Sequence, residues 1–307
     1  MSIRQERARF PFLRLISTFI LLLAQAYGCA QAQTELPEGR FGKLEKNETW
    51  SGTVALAGDL LIPSGRTLVV QAGSTVSLTP GKSLWDISIS HNLRGAVREI
   101  TRRGLIDIIV EGTLRMEGQW LSGISVADLE ERRPSSWGGL VMVKKGKVEI
   151  NHASIYLADT AVALFDQSEA KIMNSTFKSN LAAIEAFHQS SLTIKDSTLS
   201  ANSTGVALYD KAQGRIEDNW LRFNTSALLI ADRSQALVSG NLFFKNILAI
   251  SSLDSTRPQI YGNYLLANQT GIRLGQSTAP EIDGNWSLFE TRRVVDERDL
   301  QPETVTQ

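Results

Sequence analysis

The feature that most constrains this chain is a 22-residue period in its second half. A branched aliphatic residue recurs at this spacing, and we call these positions the ladder residues: Ile150, Ile172, Ile194, Ile216, Val238, Ile260 and Ile282. Asparagine follows eight residues later in five consecutive repeats, at Asn180, Asn202, Asn224, Asn246 and Asn268. A fixed period of this length is typical of a chain built from stacked supersecondary units. We therefore expect a repeat protein.

Each repeat predicts strands without an intervening helix. Short apolar runs alternate within it, as in Val206–Leu208, and a period of two belongs to half-buried strands. No repeat holds enough residues with helical spacing for a crossover helix. Strands that recur in register must then coil, each lying parallel to its copy about 4.8 Å away. The predicted fold class is all-β, a single-stranded parallel β-helix (β-solenoid) with 22-residue rungs.

The repeats Ile216–Asn224 and Ile260–Asn268 resemble the rungs of a known family. Their Gly-Asn-x-aliphatic-x-x-Asn pattern is similar to that of right-handed parallel β-helix proteins of the pectin-lyase-like group, including sugar-processing and periplasmic copper-accessory members. The resemblance covers residues 50–288 and implies a right-handed coil. Because this scaffold hosts lyases, hydrolases, epimerases and proteins without catalytic activity, the resemblance specifies the fold and leaves the function open.

Residues 1–33 are predicted to be a targeting segment. Four arginines precede the apolar stretch Leu15–Ala24, which is too short for a stable membrane span. Two cleavage sites compete. Ala26–Cys29 resembles a bacterial lipobox, in which Cys29 would carry lipid, whereas Ala30–Ala32 suits ordinary secretion. Cys29 is the only cysteine, which favours the lipoprotein. We expect a periplasmic protein or outer-membrane lipoprotein rather than a secreted one, contacting the membrane only through Cys29.

The rest of the chain divides into three predicted parts. Residues 34–49 form a linker and cap, and residues 50–289 form the β-helix. Two insertions interrupt the pattern, near residues 83–104 and 119–136, and the first is predicted to be a loop or short helix. Residues 290–307 are charged and aperiodic, which predicts a tail or cap.

Composition excludes several classes of protein. Lys and Arg total 32, as do Asp and Glu, and no basic stripe indicates a nucleic-acid partner. Beyond Cys29 no cysteine is available for a disulfide or a thiolate metal site. The histidines, His91, His152 and His188, lack the spacing of metal ligands. We therefore expect no metal site and no cofactor, which departs from what a copper-delivery role would favour.

A column of carboxylates is the first candidate for chemistry. The sixteenth position after each ladder residue reads Asp166, His188, Asp210, Asp232 and Asp254. Stacked coils would place these side chains about one strand spacing apart, where paired carboxylates can catalyse glycoside chemistry or bind calcium. Aspartate also opens turns, helped by a serine or threonine two residues later. Asp210, Asp232 and Asp254 are thus the catalytic candidates, with turn formation the favoured explanation.

A second candidate departs from the logic of the repeat. The fourth and sixth residues after each ladder residue flank an apolar fifth residue that is predicted to be buried. The side chains of the fourth and sixth residues must therefore point to solvent. They are polar or mixed in the early repeats and largely apolar in the last four, at Trp220 and Arg222, Leu242 and Phe244, Tyr264 and Leu266, and Trp286 and Leu288. We call these eight residues the apolar column. An exposed face is rarely this apolar unless it binds something.

The apolar column predicts a binding site formed by Trp220, Arg222, Phe244, Tyr264, Leu266 and Trp286. Flat rings in a row suit the faces of sugars, or a partner protein anchored by aromatic side chains. The alternative is a cover within the molecule, either the tail through Val294, Val295 and Leu300, or the 83–104 insertion. The sequence leaves both open.

These observations favour a non-catalytic protein of the cell envelope that binds a polysaccharide or an envelope protein. No nucleophile elbow, Walker loop or dinucleotide fingerprint is present. One alternative is a carbohydrate-active enzyme (a lyase, hydrolase or epimerase) using the edge from Asp210 to Asp254. Another is a structural spacer whose apolar column closes on its own tail.

Overall fold

The computed structural model of the chain describes residues 39–82, 87–93, 96–102, 105–128 and 133–298. The predicted targeting segment at residues 1–33, including Cys29, lies outside these ranges, as does Leu300. All described residues belong to one compact unit, Pro37–Gln307. The described residues contain no helix, and hence none long and apolar enough to cross a membrane.

The described residues wind into a parallel β-helix whose first face is a sheet of ten strands. The ladder residues pair across it, as Ile172 does with Ile194 and Ile194 with Ile216. The predicted all-β, single-stranded right-handed parallel β-helix with 22-residue rungs is confirmed. The ten-strand sheet consists of β2 (Glu48–Trp50), β4 (Thr67–Gln71), β9 (Thr113–Glu117), β12 (Lys147–Asn151), β15 (Glu169–Met173), β18 (Ser191–Lys195), β21 (Gln213–Glu217), β24 (Gln235–Ser239), β27 (Gln259–Tyr261) and β30 (Glu281–Asp283).

Twenty further strands form one sheet folded into two faces, which β3 (Thr53–Ile62) joins through an irregularity between Leu56 and Gly58. The narrow face contains β5 (Thr75–Lys82), β10 (Ile124–Asp128), β13 (Ala153–Tyr156), β16 (Thr176–Lys178), β19 (Thr198–Ser200), β22 (Trp220–Arg222), β25 (Leu242–Phe244), β28 (Tyr264–Leu266) and β31 (Trp286–Leu288). The wide face contains β1 (Arg40–Lys43), β8 (Asp107–Val110), β11 (Gly139–Met142), β14 (Thr160–Leu164), β17 (Ala182–Ala186), β20 (Thr204–Leu208), β23 (Ser226–Ile230), β26 (Leu248–Ser252), β29 (Thr270–Leu274) and β32 (Arg292–Asp296).

Each regular turn changes direction at three corners, where residues adopt a left-handed backbone conformation. In one turn these residues are Asn174, Ser179 and His188, with φ angles of 51°, 58° and 58°. Glycine, asparagine and aspartate reach this conformation at the least cost, which explains their recurrence at two of the three corners, as at Asn174 and Asp210. We call the corner before the narrow face the first corner, the one after it the second corner, and the one after the wide face the third corner.

The predicted asparagine ladder is buried and holds the second corner. The side-chain oxygen of Asn224 accepts hydrogen bonds from the backbone N–H and the side-chain amide of Asn202, at 3.0 and 3.1 Å. The amide of Asn224 donates to the Leu199 carbonyl at 3.0 Å and to the side-chain oxygen of Asn246 at 3.1 Å. One asparagine per turn thereby satisfies backbone groups that the bend removes from the strand ladder.

A second ladder of hydrogen-bonded side chains, not predicted from the sequence, holds the first corner. The backbone N–H of Asn241 donates to the side-chain oxygen of Asn263 at 3.0 Å. In earlier turns the hydroxyls of Ser175 and Ser197 accept the equivalent hydrogen bond. Because the residue type changes from serine to asparagine along the coil, the period is harder to recognise. The asparagine members are Asn219, Asn241, Asn263 and Asn285.

The interior of the described turns is mainly apolar. The ladder residues from Ile150 to Ile260 are buried, whereas Ile282 in the last turn is exposed. Ser252 interrupts an otherwise apolar inward position, and its hydroxyl bonds to those of Thr256 and Thr278. A buried hydroxyl is tolerated when its hydrogen bonds are satisfied, so this substitution preserves the core.

The coil extends beyond both predicted boundaries. Strand β1 pairs with β3, and β32 pairs with β29. Residues predicted to form a linker and cap before 50, and a tail or cap after 289, therefore supply outer strands. A terminal strand packs against the coil on one side only, so its sequence lacks the periodic apolar pattern of an internal turn.

The 83–104 insertion contains a β-hairpin, so the expected loop or short helix is wrong. Strands β6 (Ile87–Leu93) and β7 (Ala96–Arg102) pair antiparallel. The alternation from Ile87 to Ser90 is the signal of a strand, which the nearby arginines obscured.

The insertion predicted near 119–136 is interrupted by a strand of the coil. Strand β10 lies in the narrow face, paired with β5 and β13. One excursion from the coil is therefore the tight turn at residues 118–123.

Replacing Asn224 with alanine should destabilise the coil. The substitution leaves buried groups of Asn202 and Leu199 unpaired, at a cost of about 1–3 kcal/mol for each group. We expect the free energy of unfolding to fall by about 3 kcal/mol, measured by urea unfolding followed by circular dichroism. The exposed neighbour Thr225 provides the control, since Thr225→Ala should change stability by less than about 0.5 kcal/mol. Equal stability of the two variants would contradict the structural role of the ladder.

Glu290 ends the asparagine ladder with a carboxylate whose ionisation should cost stability. One carboxylate oxygen accepts a hydrogen bond from the Asn268 amide at 3.1 Å, and the other is buried without a partner among the described residues. Burial raises the pKa of Glu290 above its usual 4.5. The folded state therefore binds this proton more tightly than the unfolded state, so stability falls as pH rises from 4.5 through the raised pKa.

Glu290→Gln should remove this pH dependence. We expect the variant to unfold at a higher temperature than the wild type at about pH 7, and the difference to vanish at about pH 4, where Glu290 is protonated. Thermal unfolding followed by circular dichroism over this range measures the effect. A constant difference across the range would show that ionisation of Glu290 is not its cause.

Candidate functional site

The apolar column lies on the outer side of the narrow face, with two members in each turn. The register pairs Trp220 with Leu242, Leu242 with Tyr264, and Tyr264 with Trp286. The intervening inward residue is buried, as at Phe243. Trp220, Tyr264 and Trp286 are 39%, 54% and 50% exposed. The structure thus has the stacked, outward arrangement that the period predicts, while its role in binding stays a prediction.

Two cations rest on aromatic rings of this surface. The guanidinium of Arg222 lies 4.1 Å from the ring centroid of Trp220, and the ammonium of Lys245 lies 5.2 Å from that of Phe244. Phe223, at the second corner, meets Phe244 edge to face at 5.6 Å. Cation–π contacts hold the rings and the charges together. The remaining members on this side of the column, Leu266 and Leu288, continue the apolar surface to the last turn.

One alternative was that the tail covers the apolar column through Val294 and Val295. The positions of these two residues argue against it. These residues belong to β32, where they pair with Ile272 and Arg273 in the wide face. Because a strand fixes them in the next face of the coil, they cannot fold back over Trp220 and Trp286.

The aspartate column lies at the third corner and holds that bend. The backbone N–H of His188 donates to the carboxylate of Asp210 at 2.9 Å, that of Asp210 donates to Asp232 at 3.1 Å, and that of Asp232 donates to Asp254 at 3.2 Å. These residues have φ angles between 56° and 62°. Each candidate carboxylate is thus bonded to a corner of the preceding turn, which supports turn formation over catalysis.

An aromatic stack reinforces the same side of the coil. Phe165, Phe187 and Tyr209 stack in consecutive turns with ring centroids 4.9 and 5.0 Å apart. The two phenylalanines are buried, and burial raises the pKa of the Tyr209 hydroxyl well above its ordinary value of 10. We interpret this stack as structural packing.

The outer side of the ten-strand sheet carries a polar groove of about 510 Å³. Its wall includes two arginines, Arg215 and Arg257, and one carboxylate, Glu281. Gln259 donates a hydrogen bond to Glu281 at 2.9 Å. Acid–base cleavage of a glycosidic bond ordinarily requires two carboxyl groups facing the substrate, and the lining of this groove supplies one.

Two neighbouring apolar side chains, Trp120 and Leu121, are highly exposed and were not predicted from the sequence. Trp120 and Leu121 are 85% and 94% exposed at the tip of a two-residue turn. Gln119 and Ser122 exchange backbone hydrogen bonds at 3.0 and 3.1 Å, which closes the turn. The signal available in the sequence was an apolar pair between Gly118 and Gly123, hidden because this segment lacks the regular period.

The fold defines the chain as a right-handed parallel β-helix protein. A family model described as "Periplasmic copper-binding protein (NosD)" matches residues 118–293, which is more than half of the 307 residues. The chain therefore belongs to the NosD family, and it is an exported periplasmic β-helix protein.

Among solved structures, the chain is similar to the PL6 family alginate lyase AlyGC, with 11% sequence identity and a TM-score of 0.36. The similarity covers 82% of this chain and 41% of the lyase, so the chain spans less than half of the lyase's length. No curated protein matches the chain.

The described residues do not fit the copper ion that the family description names. They contain no group of three or more His, Cys, Asp or Glu side chains placed to hold a metal ion. The Nδ1 atom of His188 accepts a hydrogen bond from the backbone N–H of Asp166 at 3.0 Å. Met116 and Met142 are buried in the core, whereas Met173 is exposed. We derive no metal chemistry from these side chains.

Substitutions of Asp232 should separate a turn residue from a catalytic acid. Asp232→Ala removes an acceptor and places alanine in a left-handed conformation, so we expect a loss of about 2 kcal/mol of stability. Asp232→Asn keeps an acceptor and suits this conformation, so it should stay within about 0.5 kcal/mol of the wild type. Urea unfolding measures both. Equal destabilisation by the two variants would contradict the assigned role.

Proposed function

We propose that the chain is a non-catalytic protein of the cell envelope that binds polysaccharide through the apolar column. The observation that carries the proposal is the alignment of exposed rings at Trp220, Tyr264 and Trp286 along one face. Successive turns lie about 4.8 Å apart, so the rings follow a line along which an extended sugar chain can lie.

The character of the surface supports a sugar ligand over an envelope-protein partner. Aromatic rings offer flat apolar faces to the C–H faces of sugars. The Arg222 guanidinium on Trp220 and the Lys245 ammonium on Phe244 add hydrogen-bond donors for hydroxyl groups. A protein interface would be centred on anchors in a desolvated patch, whereas these rings form a single exposed row.

A non-catalytic role is supported by the positions of the acidic side chains. Asp210, Asp232 and Asp254 accept backbone hydrogen bonds at the third corner, on another side of the coil from the apolar column. The carbohydrate-active alternative would therefore need acids other than those the sequence suggested. Copper binding forms no part of the proposal.

Affinity electrophoresis in gels containing β-glucan, chitin fragments, peptidoglycan fragments or alginate tests the proposal. Residues 37–307, the compact unit, should be retarded by at least one polymer. Trp220→Ala and Trp286→Ala should each weaken retardation by about tenfold or more, because each removes a stacking platform. Trp120→Ala is the matched control, since this exposed tryptophan lies outside the column, and it should bind as the wild type does.

Each other result argues against the proposal. If no polymer retards the wild type, or if Trp120→Ala is as impaired as Trp286→Ala, polysaccharide binding by the column is wrong. Release of reducing or unsaturated ends from a bound polymer would favour the carbohydrate-active enzyme, particularly if Asp232→Asn abolished it while preserving stability.

A further inference from the structure

A depression opens beside the last two aromatic rings of the apolar column. It has a volume of about 320 Å³ and is lined by Gly262, Tyr264, Gly284 and Trp286. This lies at the lower end of the range typical of small-molecule sites, about 300–1,000 Å³. The depression is thus large enough for one sugar unit.

The depression exists because the first corner loses its side chains there. In earlier turns this corner carries Asn174, Asp196 and Asp218, all left-handed, with φ angles between 50° and 54°. The equivalent Gly262 and Gly284 have φ angles of 63° and 62°. Since asparagine and aspartate hold the same bend in the same molecule, the backbone conformation alone does not require glycine here.

Packing does not require glycine at these positions either. A Cβ atom at Gly262 would have no neighbour within 4 Å, and one at Gly284 would lie 3.8 Å from the nearest atom, the Gly262 nitrogen. The preceding turn differs, because a Cβ atom at Gly240 would lie 2.2 Å from the Asp218 carboxylate. Gly262 and Gly284 therefore leave open a space that the coil could fill without strain from its neighbours.

The depression has apolar rings in its lining, and hydroxyl-binding side chains lie on the adjoining strands. On the narrow-face side, the rings of Tyr264 and Trp286 lie with centroids 6.3 Å apart and planes inclined at 60°. Across the corner, Tyr261 and Asp283 pair in register and are exposed immediately before the two glycines. A phenol and a carboxylate can bond to hydroxyl groups, while the rings pack against C–H groups.

We propose that this depression is a subsite for one uncharged pyranose unit of the bound polysaccharide, an inference that rests on the proposed function. The C–H face of the sugar packs on Trp286 and Tyr264, its edge lies over the glycines, and its hydroxyl groups bond to Asp283 and Tyr261. The carboxylates of Asp283 and Glu281, on the strand before the corner, repel a uronate. The site therefore selects neutral or N-acetylated sugars.

The chain's own repeats supply the test. Gly262→Asn and Gly284→Asn place at these corners the residue that Asn174 provides in an earlier turn, filling the depression while keeping both rings. Gly52→Asn is the matched control, because Gly52 occupies the same corner at the opposite end, with a φ of 71° and no atom within 4 Å of its Cβ position. Binding of cellohexaose, chitohexaose and an alginate hexamer is measured by calorimetry, with thermal unfolding as the check on folding.

We expect cellohexaose or chitohexaose to bind the wild type and Gly52→Asn, and each filling variant to bind about tenfold or more weakly. If Trp286→Ala loses binding while both filling variants keep it, the subsite is wrong and the proposed function stands. Tighter binding of the alginate hexamer than of both neutral sugars would overturn the selectivity. If no hexasaccharide binds the wild type while a polymer retards it, the subsite is again wrong. Failure of every sugar and polymer overturns both proposals.

Discussion

The β-helix depends on backbone hydrogen bonds between successive turns, and the corners are where that continuity is hardest to maintain. A bend moves N–H and C=O groups out of the strand ladder, and a buried group without a partner costs about 1–3 kcal/mol. Each corner meets this demand with a side chain repeated every 22 residues: asparagine at the second corner, serine or asparagine at the first, and aspartate or histidine at the third. The period in the sequence therefore reflects the need for a hydrogen-bonding side chain at each of the three corners of every turn.

Much of the fold follows from the sequence because these constraints recur. The ladder residues and the asparagines of the second corner predicted parallel strands in register, and pairs such as Ile194 with Ile216 confirm that register. The hairpin of β6 and β7, the coil strand β10 and the terminal strand β32 were missed. They lie in irregular or terminal segments, where no repeated copy exposes the pattern and where fewer neighbours constrain the residue type.

The candidate site was predictable in part for the same reason. Inward positions are constrained by packing, so outward residues that become apolar, such as Trp220 and Trp286, are visible against a regular background. The depression beside Trp286 could not be inferred in that way. A glycine at a corner suggests only a bend until the structure shows that asparagine makes the same bend nearby and that no neighbour fills the space above Gly262.

Inward and corner positions maintain the fold, whereas outward positions are available for binding. Inward and corner residues specify a scaffold that the chain has in common with the NosD family over residues 118–293. Outward residues of the narrow face vary from turn to turn, from Thr198 to Trp220 to Tyr264, without altering the backbone. Specificity can then change by substitution at positions that contribute little to folding.

The asparagine of the second corner bonds only to the turns immediately above and below it. Among the described residues, the corner asparagines join only adjacent turns, so the number of turns is free to vary. Copying a single internal rung would lengthen the outer surface by about 4.8 Å. The copied rung would include the corner side chains that bond it to its neighbours. Duplication of the coding sequence for one rung can therefore adjust the length of such a protein in single-turn steps.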